Sequence, residues 1–271
     1  MTVARAARGW LEAREPADAR ARSEHLVERV RQLLPESRPL VIHDLGCGTG
    51  SMRRWLGPQL DGDQKWVEHD RDIDLLERPD HNSPTSRDGQ QISVETRFSD
   101  ITRLDPPGFT GASLITASAL LDMLTLAEVT RFANTTSAPR CPVLITLSVV
   151  GRVTLSPSDP RDEAVMLAFN DHQRRQATTG QLLGPDAADI ARILWQGAGM
   201  TVVSETSPWT LGSVDRALIG EWFDGWWDAA CDQDPGLAAA EADYAPLRRA
   251  QAADGCLTAI IQHVDLLAWY P

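Results

Sequence analysis

Short apolar runs alternate with amphipathic stretches along the first half of the chain. A short apolar run rich in branched residues predicts a strand over 40–45, and further strands are predicted over 65–70, 92–98, 113–119 and 142–149. Stretches with helical spacing lie between them, such as Leu126 to Asn134. Strands that alternate with helices predict an α/β fold in which helices cover both faces of a mostly parallel sheet.

The ends of the chain follow other patterns. Residues 17–34 have apolar positions at helical spacing, and Pro35 is expected to end that helix. A shorter helix is predicted over 3–14, with Pro16 as the break between the two helices. After residue 150 the sequence predicts a turn-rich loop or small hairpin over 151–158, helices over 161–175, 185–195, 211–231 and 237–252, and strands over 201–206 and 257–269. The last strand is expected to pair antiparallel.

Composition and charge limit the partners of this protein. The chain has 271 residues, of which 42% are hydrophobic, so it can bury one sizeable core. A formal net charge of -12 disfavours nucleic acid as a partner. No apolar run reaches the ~18 residues of a membrane span, and the N-terminus lacks the apolar block of a signal peptide. We therefore expect a cytoplasmic protein that binds neither nucleic acid nor membrane.

Two further patterns bear on the chemistry. The four cysteines, Cys47, Cys141, Cys231 and Cys256, form no CxxC pair, which predicts free thiols and no metal site. The sequence 105–108 is similar to the Asp-Pro-Pro-aromatic motif of enzymes that methylate amino groups of nucleic acids. It has glycine in place of the aromatic residue and precedes the fourth predicted strand. We interpret it as a rigid surface turn.

A glycine-rich turn lies where the first predicted strand meets a helix, in His43-Asp44-Leu45-Gly46-Cys47-Gly48-Thr49-Gly50. Glycines at alternate positions allow a sharp turn, and a ligand can then approach the main chain beside a helix N-terminus. Nicotinamide-binding turns have the spacing G-x-G-x-x-G, whereas this turn has G-x-G-x-G. The acid two residues before the first glycine is unfavourable for a pyrophosphate, but it suits the ammonium group of an amino-acid ligand.

This turn resembles the first motif of the class I S-adenosylmethionine-dependent methyltransferases. The resemblance covers residues 38–150 well and residues 180–270 only in outline. It implies a doubly wound, Rossmann-like, seven-stranded sheet with an antiparallel last strand and a helical cap or lid. It also implies S-adenosylmethionine as the cofactor. Within this single domain we expect an N-terminal helical cap over 1–37, a cofactor-binding half over 38–150, a lid or insert over 151–195 and the rest of the sheet over 196–271.

The resemblance also implies roles for individual residues. Asp70 ends the second strand, where the family has an acid that holds both ribose hydroxyls. Asp100 follows the third strand, where the family commonly has an acid against the adenine amino group, with Ile101 beside the ring. Strand four ends where methyl donor and acceptor meet in such folds. The implied cofactor-binding residues are Asp44, Gly46, Cys47, Gly48, Gly50, Asp70, Asp100, Ile101, Ala117 and Ser118.

The residues that bind the methyl acceptor are less clearly marked. A hydroxyl acceptor benefits from a base with a pKa near neutrality, which favours histidine. His172, in the segment after strand five, is a candidate base, with Asn170 and Arg174 as candidate substrate ligands. The alternative is a polar helix end without a catalytic role. Asp122, after strand four, is a second candidate base or else the cap of the next helix.

Tryptophans offer a further interpretation of the acceptor side. The sequence has 9 tryptophans, and Trp222, Trp226 and Trp227 fall near one helical face with Leu218. A buried aromatic core is the first explanation. Alternatively, Trp226 and Trp209 form a wall over the substrate or the sulfonium, because a ring face attracts a cation.

We therefore predict a methyltransferase that transfers a methyl group from S-adenosylmethionine to an oxygen or nitrogen of a small-molecule acceptor. Two alternatives stay open. One is a non-catalytic protein that binds the cofactor, because methyl transfer requires no invariant catalytic residue. The other is an NAD-dependent oxidoreductase, against which the position of Asp44 and the glycine spacing argue.

Overall fold

The computed structural model describes residues 7–77, 84–240 and 242–271 of the chain. The helices are α1 (Arg8–Ala21), α2 (Glu24–Leu33), α3 (Ser51–Leu56), α4 (Ile73–Leu76), α5 (Leu126–Ser137), α6 (Asp162–Gln173), α7 (Ala187–Gly197), α8 (Arg216–Gln233), α9 (Pro235–Ala240) and α10 (Tyr244–Ala253). The strands are β1 (Leu40–Leu45), β2 (Gln64–Asp70), β3 (Ile92–Phe98), β4 (Leu114–Ser118), β5 (Val143–Ser156), β6 (Gln176–Ala177), β7 (Gly180–Gln181), β8 (Thr201–Thr206), β9 (Trp209–Leu211) and β10 (Thr258–Trp269). None of the helices in these ranges combines the length and apolar character needed to cross a lipid bilayer.

One large sheet organises the molecule, with the strand order β3-β2-β1-β4-β5-β10-β8. The first five of these strands pair in parallel, whereas β10 runs antiparallel between β5 and β8. The short strand β9 also pairs with β10, and β6 pairs with β7 in a separate hairpin. The predicted doubly wound, Rossmann-like sheet of seven strands with an antiparallel last strand is confirmed, and β9 is an addition to it.

Each face of the sheet is covered by helices whose apolar side was visible in the sequence. On one face, α2 and α3 pack against β1 and β2 through Leu26, Val30, Met52 and Leu56. On the other face, α5 and α7 cover β4 and β5, and the fully buried Trp195 lies among them. Burial on both faces explains why β1, β4 and the first half of β5 are largely apolar, whereas β2 and β3 nearer the edge are more polar.

The break between the first two helices differs from the prediction. Helix α1 continues through Pro16 and ends at Ala21, and α2 begins after Ser23. The Ser23 hydroxyl accepts a hydrogen bond from the backbone N–H of Leu26, while the Ser23 N–H donates to Asp265. The chain therefore breaks where a cap and a distant carboxylate satisfy its backbone groups, and not at the proline. The part of the predicted first helix before residue 7 lies outside the described residues.

The loop or hairpin predicted over 151–158 is wrong in its first part. Residues 151–156 extend β5, and 153–156 pair with the first residues of β10. This ribbon leaves the sheet and packs against α1, α6, α8 and α10 around buried aromatic residues, which include Phe223, Trp226 and Tyr244. We call this group of elements the cap. Gly151 has a φ angle of 71° and lies at an irregularity in the pairing with β10, and the pairing resumes over 153–156.

Candidate functional site

The strand order reverses between β1 and β4, because the chain moves outward through β2 and β3 on one side and through β5 on the other. Open α/β sheets bind ligands at such a point, outside the carboxyl ends of the strands. Leu45 and Ala117 are paired in register, so Gly46 and Ser118 leave the two strands at the same edge. This crevice brings the predicted glycine turn and the predicted end of strand four together.

The glycine turn adopts a backbone that other residues rarely tolerate. Gly46, Gly48 and Gly50 have φ angles of 70°, 53° and 79°. The N–H groups of Gly46 and Cys47 both donate to the carbonyl of His69, at 2.8 and 3.0 Å, so the turn is anchored to β2. A Cβ atom on Gly46 would lie 3.1 Å from Leu120, and one on Gly48 would lie 3.2 Å from Leu11. The geometry and the close approach of α1 both require glycine.

Asp44 lies beneath this turn at the end of β1. Its carboxylate is buried, and Oδ1 accepts a hydrogen bond from the Thr116 hydroxyl of β4 at 2.9 Å. This hydrogen bond crosses the crevice between the two strands. A buried negative charge beside a glycine turn favours a ligand with a cationic group and disfavours an anionic phosphate. Cys47, in the turn itself, is also buried, and its thiol points to the carbonyl of Gly48.

Asp70 joins the end of β2 to the same turn. Its Oδ2 accepts a hydrogen bond from the N–H of Gly48 at 2.9 Å, and its Oδ1 accepts one from the N–H of Asp72 at 2.9 Å. Each carboxylate oxygen can accept more than one hydrogen bond. Asp70 is therefore held at the rim of the crevice and keeps acceptor capacity for the hydroxyls of a ligand, which fits the role that the resemblance implies.

Asp100 occupies the corresponding position after β3. Its Oδ1 accepts hydrogen bonds from the N–H and the hydroxyl of Thr102, and its Oδ2 lies 3.4 Å from Arg103. Burial acts to raise the pKa of Asp100, but these hydrogen bonds and the charge of Arg103 outweigh it and lower the pKa. The carboxylate is thus an ionised acceptor near the carboxyl end of the sheet. Ile101 follows it, half-buried, at the start of a short 3₁₀ helix.

The end of β4 is dense in buried polar groups. Ser118 accepts hydrogen bonds from the Arg22 guanidinium at 3.1 Å and from the Thr146 hydroxyl at 3.0 Å. The next residue, Ala119, has a φ angle of 50°, and Leu147 on β5 has one of 56°. Positive φ angles at non-glycine residues are strained and tend to occur at functional sites. Both strained residues lie at the edge where the resemblance implies that donor and acceptor meet.

Asp122 lies just beyond this edge, in the short 3₁₀ helix Leu121–Met123. The cap of α5 is Thr125, which forms a reciprocal capping box with Glu128, so the alternative that Asp122 caps this helix is wrong. Burial raises the pKa of Asp122, whereas the positive charges of Arg14 and Arg175 act against the shift. Asp122 is therefore a half-buried carboxyl with a raised pKa just beyond the end of β4.

The three candidates on α6 form contacts within the cap. Asn170 donates to the carbonyl of Gly151 at 2.8 Å, and His172 lies 3.3 Å from the exposed Asp232. Arg174 pairs with Asp186 at 2.6 Å. Burial lowers the pKa of His172, and the charge of Arg175 acts in the same direction. Among the described residues, the hydrogen bonds and ion pairs of these three side chains do not reach the glycine turn.

The two tryptophan candidates are both buried. Trp209 donates from Nε1 to Asp18 at 3.0 Å, and the Arg14 guanidinium lies 4.9 Å from its ring centre. Trp226 stacks on Trp222, with ring centres 5.4 Å apart, in the core of the cap. Trp209 thus lies at the junction of α1 and β9, whereas Trp226 is packed among aromatic neighbours.

The fold brings several polar residues to this region that the sequence pattern did not indicate. Arg22 lies at the break between α1 and α2, and Asp265 interrupts the apolar strand β10. Asp265 accepts hydrogen bonds from the N–H of Ser23, the N–H of Leu147 and the hydroxyl of Ser207. An acid within an apolar strand was a usable signal for Asp265. Arg22 had none, because arginines at helix ends are usually exposed.

A second cluster lies on the opposite side of β2 from Asp70. His43 and His69 are buried, 3.0 Å apart between Nδ1 and Nε2, and His69 also contacts the Ser99 hydroxyl at 3.0 Å. Burial lowers the pKa of each ring to about 4. His69, Ser99 and Phe109 line a cavity of about 430 Å³ that opens beside β3. The 3₁₀ turn over Pro106–Phe109 borders it, as a surface turn should.

Comparison with known proteins gives similarity only at the level of solved structures. No family model and no curated protein sequence matches the chain. A mycolic acid cyclopropane synthase complexed with S-adenosylhomocysteine is 12% identical, with 89% of this chain and 83% of that chain covered and a TM-score of 0.46. YjhP from Escherichia coli is 15% identical, with coverage of 96% and 99% and a TM-score of 0.45.

Geranyl diphosphate C-methyltransferase from Streptomyces coelicolor, in complex with Mg²⁺, geranyl diphosphate and S-adenosylhomocysteine, is 10% identical to this chain. The alignment covers 91% of this chain and 80% of that chain, with a TM-score of 0.46. The strand order and register of the chain itself define its fold. It has a doubly wound, Rossmann-like α/β sheet, with a glycine turn and acidic residues gathered at the point where the strand order reverses.

Proposed function

We propose that this protein is an S-adenosylmethionine-dependent methyltransferase that acts on an oxygen or nitrogen of a small-molecule acceptor. One observation carries the proposal. Three glycines with positive φ lie at the switch point of the sheet, between the buried acid Asp44 and the rim acid Asp70. This arrangement offers bare backbone, a site for a cation and an acceptor for hydroxyl groups within one crevice.

The two ends of the crevice suit the two ends of this cofactor. Asp70 would accept hydrogen bonds from the ribose hydroxyls, and Asp100 with Ile101 would border the adenine. At the other end, the negative charge of Asp44 would favour the ammonium group of the amino-acid part. An NAD pyrophosphate would instead lie close to this buried charge, which disfavours the oxidoreductase alternative.

The bound cofactor would supply a methyl group on a sulfonium, which is transferred in line to the acceptor. The protein can accelerate such a displacement by holding donor and acceptor in near-attack geometry. Ala117 and Ser118 end β4 beside the glycine turn and would border the reacting groups. The hydrogen bonds of Ser118 to Arg22 and Thr146 keep this edge rigid.

We assign the proton-accepting role to Asp122 before His172. Asp122 follows β4 at the edge of the crevice, and its raised pKa brings the carboxyl closer to the neutral range that a general base needs. His172 is paired with Asp232 in the cap, and it is the second candidate. Trp209, with Arg14 stacked on it, is the candidate for the acceptor wall, and Asn170, Arg174 and Trp226 are candidates for substrate contacts from the cap.

The acceptor class follows from the charge of the protein. A formal net charge of -12 would repel the phosphates of RNA or DNA, so we propose a small metabolite. The test begins with binding. Thermal unfolding and titration calorimetry would be measured with S-adenosylmethionine, S-adenosylhomocysteine and NAD on the wild type, Asp70→Ala and Asp63→Ala. Asp63 is exposed and precedes β2 at its other end, so it is a matched control.

We expect both sulfur ligands to stabilise the wild type by about 2.7 kcal/mol at 100 times their dissociation constant. Asp70→Ala should weaken binding about 10- to 100-fold, because hydrogen bonds to a charged group are lost, whereas Asp63→Ala should bind normally. Stabilisation by NAD alone, or by none of the three ligands, would refute the proposal. Transfer of a labelled methyl group to a panel of phenols, carboxylic acids and amines then separates an enzyme from a non-catalytic binding protein.

A further inference from the structure

Helix α1 lies along the carboxyl end of the sheet and carries an arginine to it. Near its start, Leu11 lies against Gly48 of the glycine turn, and at its end Arg22 donates to the Ser118 hydroxyl of β4. Arg14 lies between these two contacts on the same side of α1, because residues three or four apart along a helix are neighbours. Arg14 is therefore placed beside the edge where β4 ends.

The guanidinium of Arg14 is fixed along one edge and free along the other. Nε and Nη2 donate to the two oxygens of Asp18 at 3.0 and 3.1 Å, and the group lies 4.9 Å from the ring centre of Trp209 and 6.0 Å from that of Trp10. Nη1 forms no hydrogen bond within the described ranges, yet it is not sealed from solvent as the unpaired nitrogens of Arg22 are. The remaining N–H groups of Nη1 and Nη2 thus form a preorganised fork.

A second arginine approaches the same edge from the segment after α6. The carbonyl of Arg175 accepts a hydrogen bond from the N–H of Leu182 at 3.2 Å, and the N–H of Leu183 donates to the carbonyl of Leu124 at 2.9 Å. These backbone hydrogen bonds tie Arg175 to the segment that follows Asp122. The side chain of Arg175 is exposed, and none of the acids in the described part of the chain forms an ion pair with it.

Asp122 is the carboxyl on which both positive charges act. Burial raises its pKa, and the charges of Arg14 and Arg175 act against this shift, so both arginines lie in electrostatic range of it. Neither arginine forms an ion pair with Asp122, and its half-buried side chain forms no hydrogen bond to another described residue. The three charged groups thus surround the end of β4 without contact between them, and their donors and acceptors remain available to a ligand.

We propose that the methyl acceptor carries a carboxylate, which Arg14 and Arg175 bind while the hydroxyl or amino group of the acceptor faces Asp122. The inference rests on the proposed function. The free edge of an arginine matches a carboxylate with two parallel charge-assisted hydrogen bonds. Asp18 already offsets one of the two positive charges, which favours a singly charged carboxylate over a doubly charged phosphate. An acceptor held in this way presents its nucleophilic atom at the end of β4.

The test compares acids with their neutral amides on the complex with S-adenosylhomocysteine. The probes are hydroxybenzoates, aminobenzoates, lactate and β-alanine, each beside its amide, and calorimetry measures their binding. We expect the best acid to bind about 10-fold or more tightly than its amide, because the amide lacks the charge. Arg14→Met should lower this preference to within about threefold, and Arg175→Met should reduce it less, since an exposed charge contributes less.

The control variant is Arg20→Met. Arg20 lies near the end of the same helix, with its side chain half exposed and paired with Asp215, so this variant should keep the full preference for the acid. Arg14→Met should also bind S-adenosylhomocysteine within about threefold of the wild type, because the hydrogen bonds of Asp44 and Asp70 at the crevice are unchanged.

The titrations distinguish failure of this inference from failure of the proposed function. If the wild type prefers none of the acids over its amide, or if Arg14→Met keeps the wild-type preference, the inference is overturned while binding of S-adenosylhomocysteine still supports the proposed function. If the wild type does not bind S-adenosylhomocysteine, the proposed function itself fails. Should Arg14→Met not fold, Arg14→Gln answers the same question, because it keeps N–H groups for Asp18 but removes the charge.

Discussion

The glycine-turn edge and the cap differ in how their polar groups are arranged. At the edge, Asp44, Asp70 and Ser118 come from strand ends, and each is held by a neighbouring strand or by the turn. In the cap, residues from α1, β5, α6, α8 and α10 meet around aromatic side chains, and polar atoms such as Nε1 of Trp226 and Oδ1 of Asn170 have no partner among the described residues.

This difference suggests different roles for the glycine-turn edge and the cap. A rigid edge with satisfied strand ends suits a ligand whose geometry must be fixed, because preorganised groups lose little freedom on binding. The cap is instead held together by buried aromatic side chains, so its stability depends mainly on their packing. The two regions meet where α1 lies over the turn, with Leu11 against Gly48 and Glu15 paired with Arg54 at 2.5 Å.

The largest effect is expected where the two regions are joined. Asp265→Ala should lower the free energy of unfolding by about 3 to 5 kcal/mol, because it removes a buried carboxylate and leaves donors from α2, β5 and the loop after β8 unpaired. Urea unfolding measures this loss. Asp232→Ala, at an 80% exposed carboxylate in the cap, should cost less than about 0.5 kcal/mol. Equal losses for both variants would show that the hydrogen bonds of Asp265 to α2, β5 and the loop after β8 are not structurally important.

Acidification should lower the free energy of unfolding through buried histidines, and substitution of these histidines distinguishes the contributions of the two regions. The pKa values of His43 and His69 are lowered to about 4, and that of His263, beside the cap, is lowered to about 3, each chiefly by burial. These rings are neutral when folded but protonate near pH 6.5 when unfolded. The free energy of unfolding is therefore unaffected by these rings above pH 6.5. As the pH drops toward 4, each ring lowers it by on the order of 3 kcal/mol, because only the unfolded state takes up the proton.

The measurement is the free energy of unfolding at pH 7.5 and pH 4.5. His43→Gln/His69→Gln should reduce the loss between these pH values, and His263→Gln should reduce it independently. His25→Gln is the control, because its side chain is 76% exposed. A pH dependence that is unchanged in all the variants would contradict the assignment to buried histidines.

The third prediction concerns catalysis at the edge. Asp122→Asn should lower the methyl-transfer rate about 100-fold or more while S-adenosylhomocysteine binding stays unchanged, because it removes the proton acceptor and not a cofactor contact. The wild-type rate should rise with pH through the raised pKa of Asp122, and this dependence should disappear in the variant. If His172→Gln instead loses the methyl-transfer rate to this extent and Asp122→Asn keeps normal activity, the general base is His172 in the cap and not Asp122 at the edge.

The smallest effects compare two glycines. Gly48→Ala should destabilise the fold by about 1 to 2 kcal/mol, because its φ angle is 53° and Leu11 is close, and it should also weaken cofactor binding. Gly220→Ala, inside α8 with open space around it, should stabilise by about 0.5 to 1 kcal/mol. Thermal melts give both values, and a neutral Gly48→Ala would show that the turn does not need its conformation.

The glycine-turn edge could be predicted from the sequence to a large extent. Strands β1 to β4 lie within one or two residues of the predicted ranges, and the acids at their ends follow from these boundaries. The turn was visible because only glycine tolerates its backbone. The cap was harder, since the extension of β5 through Gly151 depends on pairing with β10 about a hundred residues later. The break after α1 likewise depends on Asp265, which no local pattern places beside Ser23.

The sequence by itself determined the alternation of strands and helices, the position of the turn and the acids that follow β1, β2 and β3. These are local properties, set by side-chain periodicity and by the conformational freedom of glycine. Only the tertiary structure decided that Arg22 lies against Ser51 and Ser118, that Asp265 joins three elements and that burial raises the pKa of Asp122. Burial and hydrogen bonding of a polar group depend on residues that are distant in sequence, so the site is decided by the packed fold.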